Sequence, residues 1–204
     1  MAFGVEGEVR RALGERADGE PASSVAEAMR VAGLFAGRSL REVEQAAATV
    51  PFREGAASAV SLLASNGFNV GVVSASYLVA VGRAARGVGA DFGVGLGLVT
   101  EGGLLTGQIV TPDIGGDRHG CGRAICKGSV LEAVRALTGA PFAGAVGDGE
   151  NDACMLELAD VAVAVEPCHP RARAAAHATA PDPARAAAFV VAARRNLQKA
   201  PSGA

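Results

Sequence analysis

The sequence predicts an α/β fold built on a parallel sheet. Short apolar runs at residues 68–73, 142–146 and 161–165 alternate with helical segments, which is the pattern of strands joined by crossover helices. Of the 204 residues, 50% are hydrophobic and 20% are charged, so the chain has the composition of a globular protein and not of a disordered one. No run of about 18 apolar residues is free of glycine and charge, so we expect no membrane span.

The charge balance limits the possible partners. The formal net charge is −2 and the sequence pI is about 5.9, which gives no support to nucleic-acid binding. The N-terminus carries acidic residues almost at once and does not resemble a signal peptide, so a cytoplasmic location is expected. The oligomeric state cannot be predicted from these features.

The first half of the chain is predicted to be mainly helical. Residues 5–48 have helical character, and Ser39-Leu40-Arg41-Glu42 forms a capping box that opens a helix ending near Thr49, before Pro51. The elements that follow are a helix at 55–67, a buried strand at 68–73 and a helix at 78–87.

The second half alternates strands and helices after a hairpin. The expected elements are hairpin strands at 94–100 and 104–111, a polar loop at 113–126, a helix at 128–137, a strand at 142–146, a helix at 151–158, a strand at 161–165 and Ala-rich helices. We therefore expect a helical cap over residues 1–50, a core over 51–195 and a flexible tail over 196–204.

Polar residues follow the strand at 142–146 directly, as Gly147-Asp148-Gly149-Glu150-Asn151-Asp152. Ligands of parallel sheets lie at the carboxyl ends of the strands, and carboxylates there suit a hard cation such as Mg²⁺. An acidic turn that only caps the next helix is the alternative.

Ser74-Ala75-Ser76 follows the strand at 68–73 and can form an anion cradle, although serine is also an ordinary helix cap. Lys127 is one of only two lysines, with Lys199, in a chain that otherwise uses arginine. It is expected to open a helix, where the helix dipole disfavours a cation. A nearby anion would explain its position; a solvated surface lysine is the alternative.

The order of these features resembles the haloacid dehalogenase superfamily of phosphohydrolases, in its phosphoserine-phosphatase-like branch. Val-Val-Ser-Ala-Ser-Tyr, Cys-Lys-Gly-Ser-Val-Leu-Glu and Ala-Val-Gly-Asp-Gly-Glu-Asn-Asp-Ala-Cys-Met-Leu resemble its second, third and fourth motifs, over residues 50–165. The resemblance implies a Rossmann-like core with a small helical cap and a β-hairpin insert. It implies a Mg²⁺-dependent phosphomonoesterase that acts on a small phosphorylated metabolite through an aspartyl-phosphate.

The resemblance also implies roles for individual residues. Asp148 would bind Mg²⁺, and Asp152 would support the metal's water shell or orient Asn151. Ser74 would donate a hydrogen bond to a phosphoryl oxygen, and Lys127 would neutralise phosphoryl charge. These roles match what phosphoryl transfer requires. Two further expected substrate-binding residues are Ala75 and, in the cap, Arg30, which would bind a substrate carboxylate.

The family's first motif, an apolar strand followed by Asp-x-Asp, is missing. Residues 1–60 contain a single aspartate, Asp18, with no strand before it. In one interpretation Phe3–Glu8 is a decayed first motif. In the other, which the order of cap residues favours, residues 4–50 are the cap, and roughly twenty preceding residues with the first central strand and the nucleophile are absent. The sheet would then have unpaired edges at its centre, and the chain would have little activity and poor stability.

Three functions therefore stay open. The chain is the body of a phosphomonoesterase, a non-catalytic remnant that binds a phosphometabolite or a partner, or a phosphotransferase. Small residues near Ala17 and Ser23, where the family has apolar cap residues, put phosphoserine itself in doubt as the substrate.

The four cysteines are expected to be reduced thiols. Cys121 and Cys126 are spaced C-x4-C with His119 close by. A zinc site would want a tighter paired pattern, so the spacing favours a flexible loop of small residues.

Overall fold

A computed structural model of the chain describes residue 8, residues 23–114 and residues 116–199. The cap helix predicted before residue 23, Asp18 and both interpretations of the first motif lie outside these residues. In the described part the helices and strands follow in this order: α1 (Val25–Gly33), α2 (Leu40–Ala48), α3 (Ala56–Ser65), β1 (Gly71–Tyr77), α4 (Leu78–Val88), β2 (Phe92–Glu101), β3 (Leu104–Val110), α5 (Lys127–Thr138), β4 (Gly144–Gly147), a 3₁₀ turn (Glu150–Asp152), α6 (Ala153–Leu158), β5 (Val161–Val165), α7 (Pro170–Ala175), β6 (Ala178–Ala180) and α8 (Pro183–Lys199).

The strands form two three-stranded sheets. In the first, β1 pairs in parallel with β2, and β2 pairs in antiparallel with β3 to form the predicted hairpin. In the second, β4, β5 and β6 are all parallel. The α/β class with parallel pairing is thus confirmed, while β6 was not predicted. Because β1 and β4 each stand at the end of a sheet, neither has a strand partner on its second side among the described residues.

The all-parallel sheet has a helical layer on each face. Alternate residues of β5 point in opposite directions: Val163 packs with Val190 of α8, while Ala162 packs with Leu156 of α6. All five residues of β5 are buried, which explains its unbroken Val-Ala-Val-Ala-Val sequence. Strands of this kind hold their carboxyl ends at one edge of the sheet.

A cavity of about 750 Å³ lies between the two sheets. Its walls include Val72 and Val73 of β1 and Ala145 and Val146 of β4. We call this cavity the slot. The slot is also lined by Lys127, Asp148 and Asp152, so it has apolar walls and one charged end.

The cap helices contact the first sheet and the polar loops. The Tyr77 hydroxyl donates to the backbone oxygen of Ala28 in α1 at 3.0 Å, and the rings of Tyr77 and Phe35 meet edge to face at 6.1 Å. Ser39 forms the predicted capping box: its backbone nitrogen donates to Glu42 at 2.8 Å, and its hydroxyl accepts from the Glu42 nitrogen at 3.3 Å. Local sequence therefore determines where α2 begins.

Several predicted boundaries were displaced. The strand expected at 68–73 is Gly71–Tyr77, so Ser74 and Ser76 lie inside β1, and the pairing with β2 is irregular between Val73 and Tyr77. The helix that follows begins after Tyr77, without a serine side-chain cap. At the other end of the chain α8 continues to Lys199, so residues 196–199 are helical rather than part of a tail. Pairing with β2 carries β1 on to Tyr77, whereas the last four residues of α8 are exposed.

No helix among the described residues is both long enough and apolar enough to cross a membrane.

Candidate active site

The charged end of the slot is built around a buried ion pair. The Lys127 ammonium contacts Oδ1 of Asp152, and both side chains are less than a tenth exposed. Oδ2 of Asp152 accepts hydrogen bonds from the backbone nitrogens of Asp148 and Gly149, at 2.9 and 2.8 Å. Asp152 therefore supports two features at once, the lysine and the loop that carries Asp148. A buried pair of this kind is tolerated only when its remaining hydrogen-bonding capacity is used, as it is here.

Two glycines allow this arrangement. A Cβ at Gly147 would lie 2.6 Å from the carboxyl carbon of Asp152, so only glycine lets the end of β4 approach that side chain. A Cβ at Gly128 would lie 2.7 Å from the Leu158 side chain and 3.0 Å from the backbone oxygen of Cys154. Gly128 thus lets the first turn of α5, which carries Lys127, lie against α6 next to Asp152. These two glycines are required because a side chain at either position would prevent the backbone from approaching its neighbours.

Asp148 is positioned differently from Asp152. It follows β4 directly, and its side chain is 55% exposed. Nη1 of Arg53 donates to its Oδ2 at 3.1 Å, and Nη2 of the same guanidinium donates to the backbone oxygen of Glu166. The backbone oxygen of Asp148 accepts from the His169 nitrogen at 2.8 Å, which holds the loop against the start of α7. The Asp148 carboxylate is therefore presented to solvent by a fixed backbone.

Arg53 was not anticipated from the sequence. It lies before α3, far along the chain from Asp148, and nothing local separates it from the other arginines. Its guanidinium links the segment before α3 to the loops after β4 and β5. Only the fold brings these segments together.

A second cluster of charges flanks the loop. Glu150 pairs with the nearly buried Arg123 at 3.3 Å and with Arg171 at 3.0 Å. Burial raises the pKa of the Glu150 carboxyl, but hydrogen bonds and charge from Arg171 and Arg123 outweigh this effect and lower its pKa overall. Glu150 therefore works as a structural anion that holds the loop, and the fourth motif contains one acid that the sequence analysis gave no role.

The predicted substrate-binding residues do not all hydrogen-bond to the charged residues of the site. The Asn151 amide donates to the Ser23 hydroxyl at 3.3 Å, which joins the loop to the segment before α1. Ser74 lies half-buried in β1, and its hydroxyl accepts from the Ser76 nitrogen at 3.1 Å. Within the described residues no hydrogen bond joins Ser74 to Lys127 or Asp148. Ala75 is its neighbour in β1, and Arg30 lies in the last turn of α1.

The site offers few free oxygen ligands to a divalent cation. No group of three or more acidic side chains converges on Asp148 within the described ranges. Asp148 offers one exposed carboxylate, whereas both oxygens of Asp152 already have partners. Mg²⁺ is commonly held by one or two carboxylates together with water and phosphate oxygens, so this donor set fits it.

Comparisons with known proteins agree with this geometry. A family model described as haloacid dehalogenase-like hydrolase matches residues 6–157. A phosphoserine phosphatase of Halobacterium salinarum is 34% identical over 143 residues, which are 63% of this chain and 64% of that protein. One of Methanocaldococcus jannaschii is 29% identical over 163 residues, which are 79% of this chain and 73% of that protein. The chain thus spans somewhat less than two thirds of the length of the first of these relatives.

Two solved structures are similar over most of the chain. One, described as a substrate-bound phosphoserine phosphatase complex, has a TM-score of 0.74 at 25% identity and covers 92% of this chain and 86% of its own. The other, described as a phospho-aspartyl intermediate analogue of phosphoserine phosphatase, has a TM-score of 0.70 at 26% identity and covers 86% and 80%. The family match extends over well more than half of the residues and includes the Lys127 and Asp148 loops, so this chain belongs to the haloacid dehalogenase-like hydrolase family.

Proposed function

We propose that this chain is the body of a phosphomonoesterase of the phosphoserine phosphatase type, which acts on a small phosphorylated metabolite in the cytoplasm. The observation that carries the proposal is the buried Lys127–Asp152 pair beside the exposed Asp148 carboxylate, at the charged end of the slot. The names of the similar proteins support the same activity.

In this proposal Lys127 provides the positive charge that a phosphoryl group requires. Its ammonium is buried and fixed by Asp152, so little reorganisation is needed when an anion arrives. Asp152 acts through Lys127 and through the backbone of the Asp148 loop. The Ser74 hydroxyl and the Ala75 backbone nitrogen would donate hydrogen bonds to phosphoryl oxygens from within β1, and Asn151 would contact the substrate from the loop.

Mg²⁺ is the proposed cofactor, and Asp148 is the residue that would hold it. When bound, the ion would neutralise charge on the phosphoryl oxygens during transfer. Arg53 now occupies one oxygen of Asp148 from the solvent side. Because this pair is more than a third exposed on both partners, it would open at little free-energy cost.

The proposed mechanism needs a carboxylate nucleophile, and the slot is the place that we assign to it. Among the described residues β1 and β4 have no strand partner on the side that faces the slot, and an extended segment between them would hydrogen-bond to both. Its carboxyl end would emerge beside Lys127 and Asp148. We infer that a further strand ending in an aspartate fills the slot in the active protein and forms the aspartyl-phosphate.

Arg30 is proposed to contribute to specificity from the cap. The cap is joined to the core by the bond from Asn151 to Ser23 and by that from Tyr77 to Ala28, so α1 is held over the polar loops. A guanidinium there suits a substrate carboxylate.

The second candidate is a non-catalytic family member that binds a phosphometabolite or a partner. One observation favours it: among the described residues the only acidic side chains that line the slot are Asp148 and Asp152. Neither is free to act as the nucleophile, because Asp152 is fully paired and Asp148 is the proposed metal ligand.

The deciding experiment compares two proteins. Phosphate release from phosphoserine and from a panel of phosphomonoesters is measured with Mg²⁺ for the 204-residue chain and for the same chain extended by the in-frame codons upstream of Met1. We expect little activity from the first protein, and from the second an activity that a chelator abolishes and Asp148→Asn removes. If the extended, folded protein binds phosphate but hydrolyses no ester, the phosphatase proposal is wrong and the non-catalytic one holds.

A further inference from the structure

Three cysteines from separate parts of the chain meet beside the Lys127–Asp152 pair. The sulfurs of Cys121, Cys126 and Cys154 all lie within 4.8 Å of one another, and those of Cys126 and Cys154 are 3.9 Å apart. All three are free thiols. The spacing of Cys121 and Cys126 alone predicted only a flexible loop, because Cys154 is distant in sequence. We call this group the thiol cluster.

The thiol cluster is held by its own backbone contacts. Cys126 is the N-cap of α5 and is 4% exposed, and its sulfur accepts from the Ser129 nitrogen at 3.5 Å. Cys121 is fixed by Asp117, whose carboxylate accepts from the nitrogens of Cys121 and Gly122 at 3.0 and 2.7 Å. Cys154 lies in the first turn of α6, which Gly128 allows to approach α5. The sulfurs therefore converge through the fold rather than through loose side chains.

His119 does not take part. It was the fourth candidate ligand in the sequence, but its Nε2 lies 3.2 Å from Glu132. The oxygen donor at the thiol cluster is instead Asp117, which also hydrogen-bonds to the side chains of Cys121 and Cys126.

The three thiols of the cluster have unequal pKa values. Burial raises the pKa of Cys121 to about 12 and raises that of Cys154. Burial also acts to raise the pKa of Cys126, but hydrogen bonds from Ser129, Cys121 and Cys154 outweigh it and lower that pKa. The three sulfurs lie close enough together for one cation to replace their protons.

We propose that Cys121, Cys126 and Cys154 form a binding site for a thiophilic d¹⁰ cation of the zinc class, with an oxygen of Asp117 or water as fourth ligand. Zinc binds thiolates in tetrahedral sites, and three sulfurs with one oxygen make a complete set. Arg123 acts electrostatically on Cys154 and would offset part of the negative charge of three thiolates. A disulfide would use only two of the sulfurs and leave the third unexplained.

An ion bound at the thiol cluster would help to hold the Lys127–Asp152 pair in position. Cys126 directly precedes Lys127, and Cys154 follows Asp152 by two positions, so one ion would tie both partners of the pair to the loop at Asp117. This proposal stands independently of the phosphatase proposal, because it concerns binding and stability and not turnover.

The test uses Zn²⁺ and Co²⁺ with the full chain. We expect one equivalent of Zn²⁺ to bind, an X-ray absorption spectrum with three sulfur neighbours at about 2.3 Å, and a Co²⁺ spectrum with thiolate charge-transfer bands. Cys121→Ser and Cys154→Ser should each weaken Zn²⁺ binding by about tenfold or more and, because two thiolates remain, reduce the intensity of those bands. Cys168→Ser, at the fourth cysteine outside the cluster, is the matched control and should change neither.

Two further readouts separate binding from folding. Circular dichroism of the metal-free serine variants tests that they remain folded, and Cys121 is chosen first because it is only half-buried. At a Zn²⁺ concentration that just saturates the unmodified chain, the melting temperature of that chain and of Cys168→Ser should rise, and that of the more weakly binding cluster variants should rise clearly less. Zinc coordinated only by nitrogen and oxygen, or bound equally by folded Cys121→Ser and Cys154→Ser, would overturn the proposal.

Discussion

Strands β5 and β1 both pair in parallel with a neighbouring strand, yet they differ in burial. β5 reads Val-Ala-Val-Ala-Val, and all five residues are buried. β1 begins Gly-Val-Val, yet none of its seven residues is fully buried. β5 has a strand on each side and a helical layer on each face, whereas β1 has one strand neighbour within the described part of the chain and faces the slot.

β1 also carries Ser74, Ser76 and Tyr77, so strand neighbours and residue type both contribute to the difference in burial. β4 is the other strand next to the slot, and only one of its four residues is buried. Among the described residues, the two strands that line the slot each have a single strand neighbour and are less buried than β5.

Lys127→Met should destabilise the protein more than any other change considered. It leaves the Asp152 carboxylate buried without its counter-charge, which costs about 3–5 kcal/mol. Urea unfolding measures the loss, with Lys199→Met at the exposed second lysine as the control. A loss no larger than that of the control would mean that the charged end of the slot is not a buried site.

Val163→Ala in β5 and Val73→Ala in β1 compare the two strands directly. Val163 is fully buried, so losing two methyl groups should cost on the order of 2 kcal/mol, including the cavity term. Val73 faces the slot and should cost less than about 1 kcal/mol in the 204-residue chain.

The same pair of variants tests whether a further strand fills the slot. In the N-terminally extended protein a further strand would cover Val73, so the cost of Val73→Ala should rise toward that of Val163→Ala. If the Val73→Ala cost is unchanged on extension, the added residues do not fill the slot.

Ser39→Ala tests the N-cap of α2, which lies against the sheet that contains β1. The Ser39 hydroxyl satisfies the Glu42 nitrogen at the start of α2, and Ser39 also forms a bridge to Leu104 of β3. Loss of an N-cap costs about 1 kcal/mol. Thermal unfolding measures it, and Ser39→Asp, which keeps a capping oxygen, should restore most of the loss.

Arg53→Ala removes the one guanidinium that links the segment before α3 to Asp148. Because the pair is partly exposed, the free energy of unfolding should fall by less than about 1 kcal/mol. Arg185→Ala, at an exposed pair with Asp182 at the start of α8, serves as the comparison. A loss of several kcal/mol would show that Arg53 holds the two halves of the molecule together.

The smallest effect is the pH dependence of the α2 cap. Hydrogen bonds from the Ser39 backbone nitrogen and hydroxyl lower the pKa of Glu42 below its ordinary value. A depressed folded-state pKa stabilises the protein above the unfolded-state pKa, and this contribution is lost as the pH falls through the folded-state value. Glu42→Gln should therefore flatten the acid side of the melting-temperature profile slightly. An unchanged profile would contradict the role of Glu42.

Local patterns predicted much of this protein correctly. The capping box at Ser39, the hairpin at β2 and β3, the helix that Lys127 opens and strand β5 all occur as predicted. These features depend on residues close together in the chain. The prediction that Ser74 lies just beyond its strand was wrong, because pairing with β2 continues past an irregularity to Tyr77.

The order of Ser74, Lys127 and the Asp148 loop was enough to identify the family, because chemistry fixes residue types at strand ends and helix starts. Only the tertiary structure revealed that Arg53 reaches Asp148, that Cys154 joins Cys121 and Cys126, and that a slot separates β1 from β4. Each of these contacts joins segments that are distant in the chain. Side chains at such positions carry no local signal, and their meeting depends on how helices and sheets pack.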